Sequence, residues 1–119
     1  MSDPTTIVRT YIDMWNETDP ERRRKLVAEA LTDDASYLDP IMAGSGTDEI
    51  SAMIGAAQEQ FPGHRFELVD GPDAHHDRVR FTWSLGSPAG EPIATGIDFA
   101  TTAEDGRMCD VTGFVESAA

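Results

Sequence analysis

The chain has 119 residues, of which 39% are hydrophobic and 26% are charged, proportions typical of a globular protein. Its length predicts one domain over residues 1–119 with a single hydrophobic core. The 22 acidic and 9 basic residues give a net charge of −13, which repels phosphate backbones and anionic lipids, so we expect neither nucleic acid nor a membrane as a partner.

The single cysteine, Cys109, excludes an internal disulfide and any zinc site made from several cysteines. We expect it to be an inert residue of the core or of an interface. The sequence has neither an apolar run long enough to span a membrane nor the basic and apolar segments of a secretory signal. We therefore expect a cytoplasmic protein.

Helices are predicted in the first half of the chain. Ser2-Asp3-Pro4 is a typical helix start, because a capping side chain is followed by proline in the first turn, and Asp19-Pro20 repeats this signal. A third helix is predicted from Thr47 to the stop at Pro62-Gly63. The apolar positions recur with helical spacing, and we expect them to face inward: Val8, Tyr11, Ile12 and Trp15; Leu26, Val27, Ala30 and Leu31; Ile50, Met53, Ile54, Ala57 and Phe61.

A basic run, Arg22-Arg23-Arg24-Lys25, lies in the second predicted helix. We expect these residues to form a solvated face rather than an anion-binding site.

Strands are predicted after Pro62-Gly63, where the apolar period changes from 3.6 to 2. One further short strand precedes Asp39. The expected order is a strand around Phe66 and Leu68, a turn at Asp70-Gly71-Pro72-Asp73, a strand from Val79 to Leu85, a strand from Pro92 to Thr102, a hairpin turn at Asp105-Gly106, and a strand from Met108 to Glu116. Because helices and strands are segregated along the chain, the predicted fold class is α+β, with three N-terminal helices packed on a strongly bent, mainly antiparallel sheet.

Three polar residues, Asp39, Tyr11 and Asp98, are candidates for acid–base chemistry. Asp39 follows a strand and precedes the apolar pair Ile41 and Met42. A carboxylate in apolar surroundings has either a raised pKa or a nearby donor, and both serve acid–base catalysis. Tyr11 is predicted to face inward, and Asp98 lies in an apolar-rich strand, where an unpaired inward acid costs several kcal/mol.

Each candidate also has a structural alternative. Asp39 could cap the turn at Pro40, Tyr11 could be a core tyrosine bonded to a backbone carbonyl, and Asp98 could have a structural partner.

The histidines are weaker candidates. His75 and His76 cannot chelate one ion together on a strand, because neighbouring side chains point to opposite faces. We expect a surface or interface role for them, with a catalytic role as the alternative if one reaches a pocket. His64 is predicted to lie in a loop, and no metal site is predicted.

This layout resembles the cone-shaped α+β fold of nuclear transport factor 2, and more closely the branch of SnoaL-like polyketide cyclases and ketosteroid isomerases. The resemblance covers nearly the whole chain. Its most specific motifs are Asp33-Asp34-Ala35 with Asp39-Pro40, Gly44 and Gly46 with Glu49-Ile50, and Ile97-Asp98. It implies a deep apolar pocket between the helices and the sheet, and no cofactor.

The resemblance also implies roles for the three candidates. Ketosteroid isomerases place a general base at the position matched by Asp39, and enolate-stabilising donors at the positions matched by Tyr11 and Asp98. SnoaL-type cyclases place their acid–base aspartate at the position of Asp98. The residues expected to contact a substrate are Trp15, Met42, Met53, Phe61, Phe81, Trp83, Gly96, Val111 and Gly113.

The leading interpretation is a cofactor-independent acid–base enzyme that acts on a small hydrophobic carbonyl compound through an enolate, as an isomerase or a polyketide cyclase. The alternative is a non-catalytic protein that binds a hydrophobic small molecule. An epoxide hydrolase is less favoured, because epoxide hydrolases of this fold need an arginine between two inward acids, whereas Arg78 and Arg80 occupy the polar register of their strand. A dehydratase, also less favoured, would need His75 or His76 to face the pocket. A protein-binding module is the last alternative.

The second face of the sheet is expected to carry Ile97, Phe99, Thr112 and Phe114. Because a monomer would leave these apolar groups in water, we predict a homodimer formed through the sheet.

Overall fold

The helices begin within one residue of the positions that the sequence predicts. In the computed structural model, which describes residues 3–118, they are α1 (Pro4–Asn16), α2 (Pro20–Ala30) and α3 (Gly46–Gln60). The carboxylates of Asp3 and Asp19 cap the first two helices, accepting from backbone N–H groups at 2.8 and 2.9 Å. The two predicted aspartate–proline starts are thus confirmed, whereas Ser2 of the first signal lies outside the described residues.

Within the described residues, one sheet contains six strands in the order β2-β1-β6-β5-β4-β3. The strands are β1 (Leu31–Leu38), β2 (Ala43–Ser45), β3 (Arg65–His75), β4 (Arg78–Gly86), β5 (Pro92–Thr102) and β6 (Met108–Ala118). Strands β3 to β6 pair antiparallel in chain order, while β1 runs parallel to β6 and antiparallel to β2. Helices α1 and α3 pack on this mainly antiparallel sheet, so the predicted α+β class is confirmed.

The predicted turn at Asp70-Gly71-Pro72-Asp73 is wrong. This segment belongs to β3, where the register with β4 shifts on both sides of Asp70, as in a β-bulge. Gly71 has a φ of 101°, a left-handed conformation that glycine adopts without steric cost. The glycine and proline therefore bend a continuous strand, and β3 ends later, at His75.

The prediction that the whole basic run of α2 is solvated is also wrong, because Arg23 is buried with 7% of its surface exposed. Helical spacing places it on the same stripe as Val27, and Gly55 on α3 leaves room for its guanidinium. Among the described residues it makes no ion pair with a carboxylate. It donates instead to Ser51 Oγ, Gln58 Oε1 and the carbonyl of Glu17.

The alternation of side chains along β5 determines what faces the helices. Gly96, Asp98 and Ala100 are buried, whereas Phe99 between them is 43% exposed on the other face. The same alternation along β6 keeps Gly113 buried opposite Asp98. The sheet therefore presents one carboxyl group to the helices. In the described part of the chain, no helix combines the length and the apolar character needed to cross a bilayer.

Candidate active site

A cavity of about 310 Å³ lies between the helices and the sheet. Most of its wall is apolar: Ile12, Trp15, Ile41, Met42, Ala57, Phe61, Phe66, Trp83, Leu85, Ile93, Ala94 and Val115. The remaining side chains of the wall are polar: Tyr11, Tyr37, Asp39, Gln58, His64 and Asp98. Three of the apolar side chains, those of Ile41, Phe61 and Val115, are also exposed to solvent, so they mark the mouth of the cavity.

Asp98 is the buried carboxyl group of this wall, with 3% of its surface exposed. Tyr11 Oη donates to its Oδ2 at 2.9 Å, and Trp83 Nε1 donates to its Oδ1 at 2.9 Å. Burial raises the pKa of Asp98 to about 6; the two hydrogen bonds oppose this rise and the nearby charge of Asp39 adds to it. The carboxyl group can therefore gain or lose a proton close to neutral pH, as a general acid or base must.

Asp39 immediately follows β1 and is half-buried. Its Oδ1 accepts hydrogen bonds from the backbone N–H groups of Ile41 and Met42, at 2.7 and 2.9 Å. Its Oδ2 accepts from Tyr37 Oη at 2.5 Å. Asp39 therefore caps the turn around Pro40 and lies in the cavity wall at the same time.

The two tyrosines of the site remain protonated at neutral pH. Burial is the main cause that raises the pKa of each hydroxyl well above its ordinary value, and the nearby carboxylates add to the effect. Tyr11 also packs edge-on against Phe81 at 5.5 Å, and Tyr37 packs against Trp15 at 5.5 Å. These contacts hold both hydroxyl groups in the direction of a carboxylate.

The two carboxylate–tyrosine pairs meet at Gly113 on β6. A Cβ atom at residue 113 would be 2.8 Å from Asp98 Oδ1, 3.3 Å from Asp39 Cβ and 3.4 Å from Tyr37 Oη. The first of these distances is too short for a real contact. The absence of a side chain at residue 113 therefore allows Asp98, Asp39 and Tyr37 to converge.

Gly96 serves the same site in a different way. A Cβ there would be 2.2 Å from Trp83 Cζ2 and 2.6 Å from the carbonyl oxygen of Phe114. Gly96, expected from the sequence to contact a substrate, is thus covered by the indole ring of Trp83. In this position the ring directs its N–H at Asp98.

The fold agrees with a family that the sequence matches. A model of the SnoaL-like domain matches residues 8–111. The chain belongs to the SnoaL-like family. Among solved structures, a protein from Agrobacterium tumefaciens, described provisionally as an isomerase of the SnoaL-like family, is 45% identical, with a TM-score of 0.91 over 95% of this chain and 97% of that chain.

Two more distant structures show the same fold. A Jannaschia protein, described provisionally as a SnoaL-like polyketide cyclase, is 17% identical, with a TM-score of 0.71 over 98% of this chain and 90% of that one. A Sinorhizobium meliloti protein, described provisionally as a polyketide cyclase, is 20% identical, with a TM-score of 0.69 over 91% of this chain and 93% of that one. No curated protein matches the sequence. The resemblance stated from the sequence motifs is confirmed.

The predicted site residues of this SnoaL-like protein divide into two groups. Those that line the cavity are Tyr11, Asp39 and Asp98, together with Trp15, Met42, Phe61 and Trp83. Those that do not line it are Met53, Phe81, Gly96, Val111 and Gly113. The second group lies behind the wall, because Phe81 and Val111 are fully buried in the core and Gly96 is covered by Trp83.

Three polar residues of the wall, Tyr37, Gln58 and His64, were not among the predicted site residues. Tyr37 could have been found, because two-residue spacing puts it on the same side of the strand as the buried Ala35. His64 carries no such signal, since it lies in the loop after α3. His75 and His76 lie outside the wall, at the end of β3 and in the turn that follows. Within residues 3–118, no three His, Cys, Asp or Glu side chains are grouped to bind a metal ion.

Proposed function

We propose that this SnoaL-like protein is an acid–base enzyme that converts a small hydrophobic carbonyl compound through an enolate, without a cofactor. The observation that carries the proposal is Asp98, a buried carboxyl group in a mainly apolar cavity, with a pKa raised by burial to about 6. Structural carboxylates are usually paired with a cation or exposed to water, and this one is neither. These properties support a role for Asp98 in proton transfer.

In the proposed reaction Asp98 is the proton shuttle. Its carboxylate takes a proton from the carbon next to the carbonyl group, and the electron pair of the broken C–H bond forms the enolate. In an isomerisation the proton then returns to a different carbon. In an aldol-type cyclisation the enolate carbon attacks a second carbonyl group, and Asp98 gives the proton to the alkoxide oxygen that forms. In either case all protons and electrons are accounted for, and no oxidant or metal is needed.

Tyr11 is proposed to stabilise the enolate oxygen. While Asp98 is ionised, the tyrosine hydroxyl donates to Oδ2. Once that oxygen carries the substrate proton, it can itself donate to Tyr11, whose hydroxyl proton is then free to turn toward the enolate. One donor aimed at a developing oxyanion lowers a barrier by about 3 kcal/mol.

Asp39 is proposed to act mainly through its charge. Its carboxylate already accepts three hydrogen bonds, from Tyr37 and from the backbone of the turn, so its oxygens are engaged within the protein. This favours a division of roles opposite to the one implied by the isomerase resemblance, in which Asp39 is the base. The negative charge of Asp39 supports the base function of Asp98 by raising its pKa.

The size of the cavity limits the substrate. An apolar cavity of about 150 Å³ can hold benzene, so roughly twice that volume suits a compound of about two rings. The exposed apolar side chains at the mouth of the cavity suit a hydrophobic ligand. The substrate class is therefore a ketone or related carbonyl compound of about bicyclic size.

Exchange of deuterium into a bicyclic ketone tests the proposal directly. The protein is incubated with 2-tetralone in deuterated buffer, and loss of the proton signal next to the carbonyl group is followed by NMR. We expect faster exchange than in buffer alone, and a reduction of about 100-fold or more in Asp98→Asn. Asp13→Asn, which changes an exposed aspartate of α1, is the control and should exchange like the wild type. Equal rates in the wild type and Asp98→Asn would contradict the proposal.

A non-catalytic binding protein is the second candidate. It is favoured by the complete use of Asp39 in structural hydrogen bonds. In that case 2-tetralone would bind to the cavity, but its exchange rate would equal that in buffer.

We also propose that the protein forms a homodimer through the outer face of the sheet. Phe99 and Phe114 lie there side by side, 43% and 53% exposed, with ring centroids 6.2 Å apart. Burying such a pair is favourable because it removes apolar surface from water. Sedimentation should show a dimer at micromolar concentration and a monomer for Phe114→Lys; a monomeric wild type would contradict this.

A further inference from the structure

The cavity has a second polar position, far from Asp98. On β4, Leu85 lies four residues beyond Phe81, which pairs with Asp98. Four residues of a strand span about 13 Å. Phe66 on β3 pairs with Leu85, and the loop that carries His64 leads directly into β3. His64 therefore lies at the opposite end of the cavity from Asp98.

The hydrogen bonds of His64 determine which of its ring nitrogens can meet a ligand. Nδ1 lies 3.1 Å from the carbonyl oxygen of Pro62. Because a carbonyl only accepts hydrogen bonds, Nδ1 must carry the proton, and in the neutral ring Nε2 is then an acceptor. The ring also packs edge-on against Phe61, with centroids 5.6 Å apart. The half-buried side chain is thus held at the cavity wall with one acceptor remaining.

The other polar side chain at this end, Gln58, already makes three hydrogen bonds within the protein. Its Nε2 donates to the carbonyls of Trp15 and Glu17, at 3.0 and 2.8 Å. Its Oε1 accepts from Arg23 at 2.9 Å. By contrast, among residues 3–116 no group donates to His64 Nε2. A donor on a bound ligand would therefore find its acceptor at His64.

We propose that His64 is a specificity-determining residue that accepts a hydrogen bond from a hydroxyl group on the end of the substrate remote from the reacting carbonyl. The inference rests on the proposed function, which places the carbonyl group at Asp98. It narrows the substrate to hydroxylated carbonyl compounds of about two rings, with the two oxygen functions at opposite ends.

Three naphthyl ketones of matched shape test this inference by fluorescence titration. They are 2-acetylnaphthalene, its 6-hydroxy derivative and its 6-methoxy derivative, which has the added oxygen but no donor. The wild type should bind the hydroxy ketone about 3- to 10-fold more tightly than the parent ketone, as one net hydrogen bond predicts. The methoxy ketone should gain nothing.

Variants of His64 assign the preference to its ring nitrogen. His64→Phe keeps a flat ring and removes the acceptor, so it should bind the hydroxy and parent ketones equally. His64→Gln keeps a side-chain acceptor and should retain part of the preference. His75→Phe, which changes a histidine outside the cavity, should behave like the wild type.

The outcomes separate this inference from the proposed function. An equal affinity of the wild type for the hydroxy and parent ketones, or a preference that persists in His64→Phe, would overturn the role of His64 and leave proton exchange by Asp98 untouched. Failure of all three ketones to bind would overturn the proposed ligand class. Conversely, exchange that does not depend on Asp98 would refute the proposed function even if the hydroxyl preference depends on His64.

Discussion

Replacing Asp98 with asparagine is expected to change how the stability of the protein depends on pH. The pKa of Asp98 is about 6 in the folded protein and 3.8 as an ordinary aspartate. The folded state therefore holds the proton more tightly than the unfolded chain does. The resulting stabilisation is complete below pH 3.8 and is lost as the pH rises to about 6.

The size of this effect follows from the two pKa values. The difference between these two pKa values corresponds to a change of about 3 kcal/mol in the free energy of unfolding between acidic and neutral pH. Asparagine has no such dependence, because it stays neutral at every pH. Its amide oxygen can accept from Trp83, and its amide nitrogen can donate to Tyr11, so both hydrogen bonds of the site can persist.

Urea unfolding of the wild type and Asp98→Asn at two pH values measures the effect. Between pH 4.5 and pH 7.5, the free energy of unfolding of the variant should rise by about 2 kcal/mol relative to the wild type. Comparing the two proteins removes the contribution of the other acidic residues, which titrate in both. Asp13→Asn should instead follow the wild type at both pH values. If the curves of Asp98→Asn and the wild type ran parallel, the reasoning about Asp98 would be refuted.

Three other substitutions test the geometry of the site and of its support. Gly113→Ala should lower proton exchange by at least about 10-fold while the protein still folds, because the new methyl group displaces the carboxylate of Asp98. Trp83→Phe should raise the pKa of Asp98 further, since one donor to the ionised form is lost, and an NMR titration would measure this. Arg23→Ala should lower the free energy of unfolding by about 2 to 4 kcal/mol, because buried hydrogen-bond acceptors lose their donor and a cavity forms. Arg24→Ala, which removes one side of an exposed ion pair, should change the free energy of unfolding by less than about 1 kcal/mol, as measured by urea unfolding.

The contrary results are equally specific. Gly44→Ala adds a methyl group at ordinary contact distance, 3.6 Å from Met53 Sδ, so an effect on exchange equal to that of Gly113→Ala would contradict the argument from Gly113. A lower pKa of Asp98 in Trp83→Phe would mean that the indole acts mainly by excluding water. Equal losses of stability in Arg23→Ala and Arg24→Ala would contradict the structural role of Arg23.

The sequence predicts which side of each element faces the core. Helical spacing correctly turns Tyr11 inward, and the alternation along β5 correctly puts Asp98 on the buried face. Both inferences need only the period of a single helix or strand. They establish which way a side chain points but not whether it reaches the cavity. For this reason Phe81 and Val111 point inward and yet lie behind the cavity wall.

The rest of the site depends on contacts between distant parts of the chain. The bond from Trp83 to Asp98 requires Gly96 to make room for the indole, which is visible only once β4 and β5 are paired. Arg23 belongs to a run of basic residues that is normally solvated, and its burial depends on the space left by Gly55 on another helix. Neither arrangement leaves a periodic signal in the sequence.

The carboxyl-carbon NMR titration of Asp98 in the free protein, assigned through Asp98→Asn, tests the central claim most directly. The account predicts a midpoint near pH 6, and a lower midpoint in Asp39→Asn, where the neighbouring negative charge is removed. A midpoint near 3.8 in both proteins would mean that the carboxyl group is solvated like a surface aspartate, and the proposal of a buried proton shuttle would be contradicted.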